Sequence, residues 1–141
     1  MTDETGGLDL ERAFATFEES FAPRIAATVN DYDVKIARID GDYVWHSHAD
    51  TDEFFLVLAG RLTIELEGRE PVVLGPHQLF TVPKGLGHRP LGTPGTRVLF
   101  FEPRGTVNSG DADLTDLRAD LRANSTTGFA LAGGGDEAAG G

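Results

Sequence analysis

The sequence predicts an all-β barrel or sandwich with a helix at its N-terminus. Three observations carry this. From Asp33 to about Glu102 apolar and polar residues alternate with a period of two. The segments are short and rich in β-branched and aromatic residues. Gly, Pro and Asp clusters separate them, and no helical stretch intervenes. Roughly seven to nine short strands at regular spacing indicate closed antiparallel β-structure rather than a parallel sheet.

Each element follows in order. Leu8 to Ile25 reads as a helix, because Leu10, Phe14, Phe17 and Phe21 recur at spacings of three and four. Pro23 ends or kinks it. The strand segments are DVKIARI, YVWHSH, EFFLVLAG, RLTIELEG, PVVL, QLFTVP and TRVLFFE. Their turns are Asp40-Gly41-Asp42, Gly60, Glu67-Gly68, Gly75-Pro76, Pro83-Lys84-Gly85 and Gly92 to Gly95. After Glu102, PRGTVNSGD reads as a loop and Leu114 to Ala123 as a short helix. The remaining NSTTGFALAGGGDEAAGG is Gly/Ala/Ser-rich. The expected organisation is a helical segment over residues 1–28, a barrel over 29–111 and a mobile C-terminal extension over 112–141.

Composition narrows the function. The chain has 141 residues, enough for one domain with a core, and 40% of them are hydrophobic. Its formal net charge of −11 argues against nucleic acid and against an anionic membrane surface as partners. No apolar run approaches a membrane span, and the N-terminus lacks a secretory pattern, so a soluble, cytoplasmic protein is expected. With no cysteine, a metal site would rest on imidazole and carboxylate.

One such set is visible. In YVWHSH, strand parity puts His46 and His48 on one face. After the turn Ala49 to Asp52, Glu53 opens the next strand, and a hairpin would return it towards both histidines. Two neutral imidazoles and a carboxylate facing a barrel interior suit a borderline divalent ion. A fourth ligand would come from His88, which follows the turn PKGLG; His77, in a tight turn, has no expected role. On these residues alone, a hydrogen-bonded histidine pair in the core remains the alternative.

The spacings resemble the two motifs of the cupin superfamily. The first is G-x5-H-x-H-x3-4-E-x6-G, matched by His46-x-His48, four residues, Glu53, six residues and Gly60. Gly41 lies one residue closer to His46 than the motif has it. The second is G-x5-P-x-G-x2-H-x3-N, matched by Pro83-x-Gly85-x2-His88. Here Gly75 lies two residues further out and Gly92 occupies the Asn position. NDYDVKIARIDGDYVWHSHADTDE, FFLVLAGRLTIEL, VPKGLGHRP and FEPRGTVNSGD are similar to the small single-domain cupins of the mannose-6-phosphate-isomerase-like group.

This resemblance implies a jelly-roll barrel with one divalent transition metal in its mouth (Fe, Mn, Ni, Zn, Co or Cu). It carries His46, His48, Glu53 and His88 over as ligands and implies a homodimer. Three imidazoles and a carboxylate leave two positions on an octahedral ion. The resulting expectation is a small-molecule metalloenzyme, working by dioxygenase-type oxidation or by metal-assisted isomerisation of a hydroxy-carbonyl compound. The alternative is a non-catalytic module that binds or senses a small ligand.

Phe55, Val57, Phe80, Val82, Val98 and Phe100 are the expected barrel lining. Such an apolar cavity suits an aromatic or enol-like substrate better than a sugar phosphate, which wants converging cations. Lys84 and Arg89 are expected in solvent, Asp50 and Asp52 as solvated turn acids, and Tyr43 and Trp45 as packing residues opposite the ligands. Lys35 faces either way, and no inward acid besides Glu53 is expected.

Overall fold

A computed structural model describes residues 6–131. The fold is an eight-stranded, largely antiparallel β-structure: β1 Arg24–Val29, β2 Tyr32–Asp42, β3 Glu53–Ala59, β4 Leu62–Leu66, β5 Arg69–Leu74, β6 Leu79–Val82, β7 His88–Pro103 and β8 Phe129–Ala130. The strands run in the order β5-β4-β7-β2-β1-β8, and β3 pairs with both β6 and β7. Alternation at a period of two shows directly in burial: Glu53, Phe55 and Val57 of β3 are buried, as are Leu62, Ile64 and Leu66 of β4. Among the described residues, no helix is long and apolar enough to cross a membrane.

β7 organises the barrel. It pairs with β2 along both of its halves; His88 to Gly92 also pairs with β4, and Arg97 to Phe101 with β3. The change of partner occurs at Gly92 to Gly95, expected to be a turn and found as an irregularity inside one strand. Gly92 faces Gly41 there, and a Cβ on it would lie 2.1 Å from the Ile39 carbonyl oxygen. Only glycine lets the two backbones approach so closely.

Two cores result. The barrel interior buries Ile39, Phe55, Val57, Leu62, Ile64, Val82, Val98 and Phe100, with Leu117 and Leu121 from the C-terminal segment. A smaller core outside the sheet buries Ala13, Phe14, Phe17 and Ile36.

The N-terminal helix is much shorter than its apolar stripe predicts. α1 spans Leu10–Phe14, and Asp9 caps it. Arg38 of β2 explains the stop. Its guanidinium donates to the carbonyls of Phe14 at 2.7 Å and Phe17 at 2.9 Å, taking acceptors that a longer helix would use internally. Phe21, at φ 55°, then turns into the barrel and stacks on Tyr43. Arg24 to Val29, expected partly within the helical segment, is a strand of the sheet, so residue 28 falls inside β1.

Within the described residues the C-terminal extension, expected to be mobile, carries three short elements. A 3₁₀ turn at Leu114–Asp116 leads to α2 at Ala119–Arg122, and β8 adds to β1 in parallel. The final Gly-rich residues lie outside the described ones.

Gly92→Ala is expected to lower stability by about 1–3 kcal/mol, through forced separation of β2 and β7. Urea unfolding followed by tryptophan fluorescence measures it, and an unchanged midpoint would contradict the close approach.

Candidate metal centre

Each of the four sequence-predicted ligands stands at the end of a strand or beside one. Beyond Asp42 the chain leaves the regular ladder, but His46 still pairs with His88: His46 N–H donates to the His88 carbonyl at 3.0 Å and His88 N–H to that of His46 at 2.9 Å. Gly85 N–H donates to the His48 carbonyl at 2.8 Å. Glu53 is the first residue of β3, opposite Val82, and His88 the first of β7, opposite Leu66. The three sequence-distant pieces are thus tied by backbone hydrogen bonds before any side chain contributes.

The side chains converge. One ligand atom from each of His46, His48, Glu53 and His88 lies within 4.8 Å of the others, and all four residues are buried. Glu53 Oε2 sits 2.8 Å from His88 Nε2, 2.9 Å from His48 Nε2 and 3.9 Å from His46 Nε2. His46 Nδ1 lies 2.9 Å from the Val44 carbonyl, and His88 Nδ1 3.0 Å from that of Leu86. A carbonyl only accepts, so both Nδ1 atoms carry a proton, which leaves Nε2 of each ring as the inward-facing ligand atom. Nε2 of His46 is buried with no hydrogen-bond partner, and that of His48 has the Glu53 carboxylate beside it. Lone pairs and a carboxylate aimed at one dry point repel one another unless a cation or protons lie between them. The donor set therefore fits a divalent transition metal, with the Nδ1 contacts orienting its ligands.

Electrostatics agree. Burial pushes His46 down to about 4, which keeps its imidazole neutral and available. Burial also opposes charge on His48, but the adjacent Glu53 carboxylate outweighs it and raises His48 above the ordinary imidazole range. Burial alone would raise Glu53, yet His48 and His88 hold it well below the usual carboxylate range.

A brace from the C-terminal segment holds the HxH stretch. Asp111 accepts from the Ser47 backbone N–H at 2.6 Å and from the Ser47 hydroxyl at 2.8 Å. These bonds depress the Asp111 carboxyl. Beside it Gly110, at φ 55°, leaves room for the Ser47 carbonyl: a Cβ there would approach to 2.2 Å. Asp52, read as a solvated turn acid, is exposed and also accepts from Lys84 N–H at 2.9 Å, fastening the turn before His88. Asp50 is exposed.

The site opens on a small cavity inside the barrel, with His46 and Glu53 in its wall. Phe55 and Phe100 line it as expected; Val57, Val82 and Val98 pack in the core instead, and Phe80 is half-buried. Two readings need correction. Tyr43 lines the cavity, because residues 43–48 leave the β2 ladder and strand parity no longer holds for them. Glu102 lines it too, paired with buried Lys35 at 2.8 Å. Its parity was legible, since Val98, Phe100 and Glu102 share a face. Trp45 is exposed under the guanidinium of Arg89, and Arg89 pairs with Glu65.

Purification without metal-chelate chromatography should yield close to one first-row transition metal per chain by elemental analysis. His48→Ala is expected to remove it, and Asp111→Ala to weaken retention about tenfold by loosening the brace. Because uptake must displace the proton favoured on His48, metal affinity falls as pH drops through neutrality. A metal-free protein whose stability ignores added Fe, Mn, Ni or Zn would contradict the site.

Comparison with known proteins places this geometry. Residues 36–101 match the Cupin_2 family, described as a cupin domain. Over 72 residues the chain is 40% identical to the uncharacterized protein YdbB of Bacillus subtilis, a stretch that is 51% of this chain and 64% of that protein, less than two thirds of its length. The crystal structure of a cupin-2 domain containing protein from Shewanella frigidimarina superposes with a TM-score of 0.66 at 34% identity, covering 69% of this chain and 94% of that one. Hydroquinone 1,2-dioxygenase from Sphingomonas sp. TTNP3 shares the fold, with a TM-score of 0.55 at 20% identity over 64% of this chain and 69% of its own. The chain belongs to the cupin superfamily.

Proposed function

We propose that the protein is a small-molecule metalloenzyme, with oxidation of a compact aromatic or enol-like substrate by dioxygen as its reaction. The observation that carries this reading is the convergence of three imidazole nitrogens and one carboxylate within 4.8 Å at the edge of an apolar cavity. A divalent transition metal held by His46, His48, Glu53 and His88 would supply a Lewis-acid or redox centre with open positions. The chain supplies the rest. Phe21 and Tyr43 stack with ring centroids 4.6 Å apart, and Phe55 meets Phe100 edge-on. These rings line the cavity with apolar surface and keep bulk water from it.

A sugar phosphate suits the cavity poorly. The one cation paired into its wall, Lys35, is already held by Glu102, while Lys84 and Arg89 lie away from its lining. Isomerisation of a neutral hydroxy-carbonyl compound is the second branch, and the acid Glu102 in the wall supports it.

Oxygen consumption by the Fe(II) form over catechols, enols and β-diketones tests the first branch; a sugar-isomerase assay with Mn or Zn tests the second. Uptake of dioxygen with at least one of the former is expected. Silence in both panels, with metal bound, would favour a binding or sensing module.

In this reading the protein works as a homodimer. Support comes from the outer face of β6, β3 and β7, where Leu79 and Phe101 are exposed beside Leu56 and Phe54. Light scattering should give twice the chain mass, and Leu79→Glu with Phe101→Glu should halve it.

A further inference from the structure

The cavity wall holds a buried ion pair that the metal ligands do not use. Glu102 is 4% exposed and lines the cavity. Lys35, 1% exposed, donates from Nζ to Glu102 Oε1 at 2.8 Å and to the Thr106 carbonyl at 3.1 Å. Among the described residues, no other group hydrogen-bonds this carboxylate, so it keeps acceptor capacity to spare. Stability does not account for the pair, because burying two charges costs as much as their attraction returns, and apolar residues of similar volume serve as well.

A second observation points the same way. Tyr43 lines the same cavity, and its hydroxyl is buried with no hydrogen-bond partner. Leaving such a group unsatisfied is unfavourable, and a ligand in the cavity would relieve it. A phenol hydroxyl is protonated at neutral pH, so it can donate. An acceptor and a donor therefore stand unused among the apolar surfaces of Phe21, Ile39, Phe55 and Phe100.

We propose that Glu102 and Tyr43 form a hydrogen-bonding arm that recognises a free hydroxyl on a small planar phenolic or enolic substrate, with Lys35 as the positioning residue that holds Glu102. The proposal rests on the metalloenzyme reading and narrows its substrate class. A carboxylate accepts only, so the ligand must bring a proton to Glu102. A hydroxyl does so while its oxygen accepts from Tyr43. An ether or ketone brings no proton, and a carboxylate or phosphate would be repelled. A site built this way discriminates strongly against an analogue lacking the hydroxyl, because its own buried groups are then left unpaired.

The test is calorimetric binding of catechol, resorcinol and hydroquinone, each against its dimethyl ether, which keeps no hydroxyl, to the protein with and without Zn(II). The three diols sample ortho, meta and para separations of two oxygens. The diol that binds best should exceed its ether by about ten- to a hundredfold in affinity. Glu102→Gln and Tyr43→Phe should each shrink that ratio towards one while zinc content stays unchanged. Lys35→Met should shrink it too; should that variant fail to fold, Lys35→Arg carries the same comparison. A ratio unaffected by Glu102→Gln, equal binding of diol and ether, or no binding of any diol would overturn the arm. Failure of the wild type to take up zinc would overturn the metal reading instead. A diol preference that persists without zinc and collapses in Glu102→Gln would still support the arm.

Discussion

The structure turns on a problem of like groups brought together in a dry place. Two Nε2 lone pairs are fixed inward by Nδ1 contacts with the carbonyls of Val44 and Leu86, and Glu53 lies between them and His48. Nothing in the side-chain chemistry would assemble such a set unaided; isolated, each group would keep its water. The barrel forces them into place through backbone bonds. The reciprocal His46–His88 pair and the Gly85–His48 bond are formed by peptide groups, indifferent to what the imidazoles carry. The fold thereby meets the cost of assembly before a cation arrives.

β7 links this centre to the rest of the cavity. It begins with His88 among the ligands and, fourteen residues on, presents Glu102 from its other end. The strand passes between β2 and β4, then between β2 and β3, and the break at Gly92 to Gly95 permits that change of partners. A glycine is needed there because the Ile39 carbonyl occupies the space of a side chain. This accounts for the departure from the second motif, whose Asn position is Gly92 in this chain.

The clustering of His46, His48, Glu53 and His88 was legible in the sequence for a physical reason. His46, His48 and Glu53 lie close along the chain, and their alternation survives the loss of regular strand because His46 remains bridged to His88. The same parity misplaced Tyr43, just past the end of β2, where no ladder enforces the pleat. The helix was overestimated because its apolar stripe is genuine in sequence but serves two cores. Phe14 and Phe17 cover the outside of the sheet, Phe21 enters the barrel, and Arg38 takes the carbonyls that would have continued the helix. Glu102 was missed because an inward acid reads as unfavourable until its partner is known. Lys35 lies 67 residues away in sequence, and no local pattern joins them.

Charge balance shows why these two carboxylates can share one cavity in a chain of formal net charge −11. Burial raises Glu102, and the negative charge of Glu53 raises it further; Lys35 is the opposing influence. Glu53 in turn is held ionised by the histidines rather than by Lys35. Each acid therefore has its own partners, Lys35 for Glu102 and the histidines for Glu53. Exchange of partners would bring Lys35 against the imidazoles and compete with a cation for Glu53. The second contact of Lys35, to the Thr106 carbonyl, opposes this by holding the ammonium at Glu102. The segment from Thr106 to Asp111 thus steadies both ends of the cavity at once: Thr106 the ion pair, and Asp111 the histidine stretch.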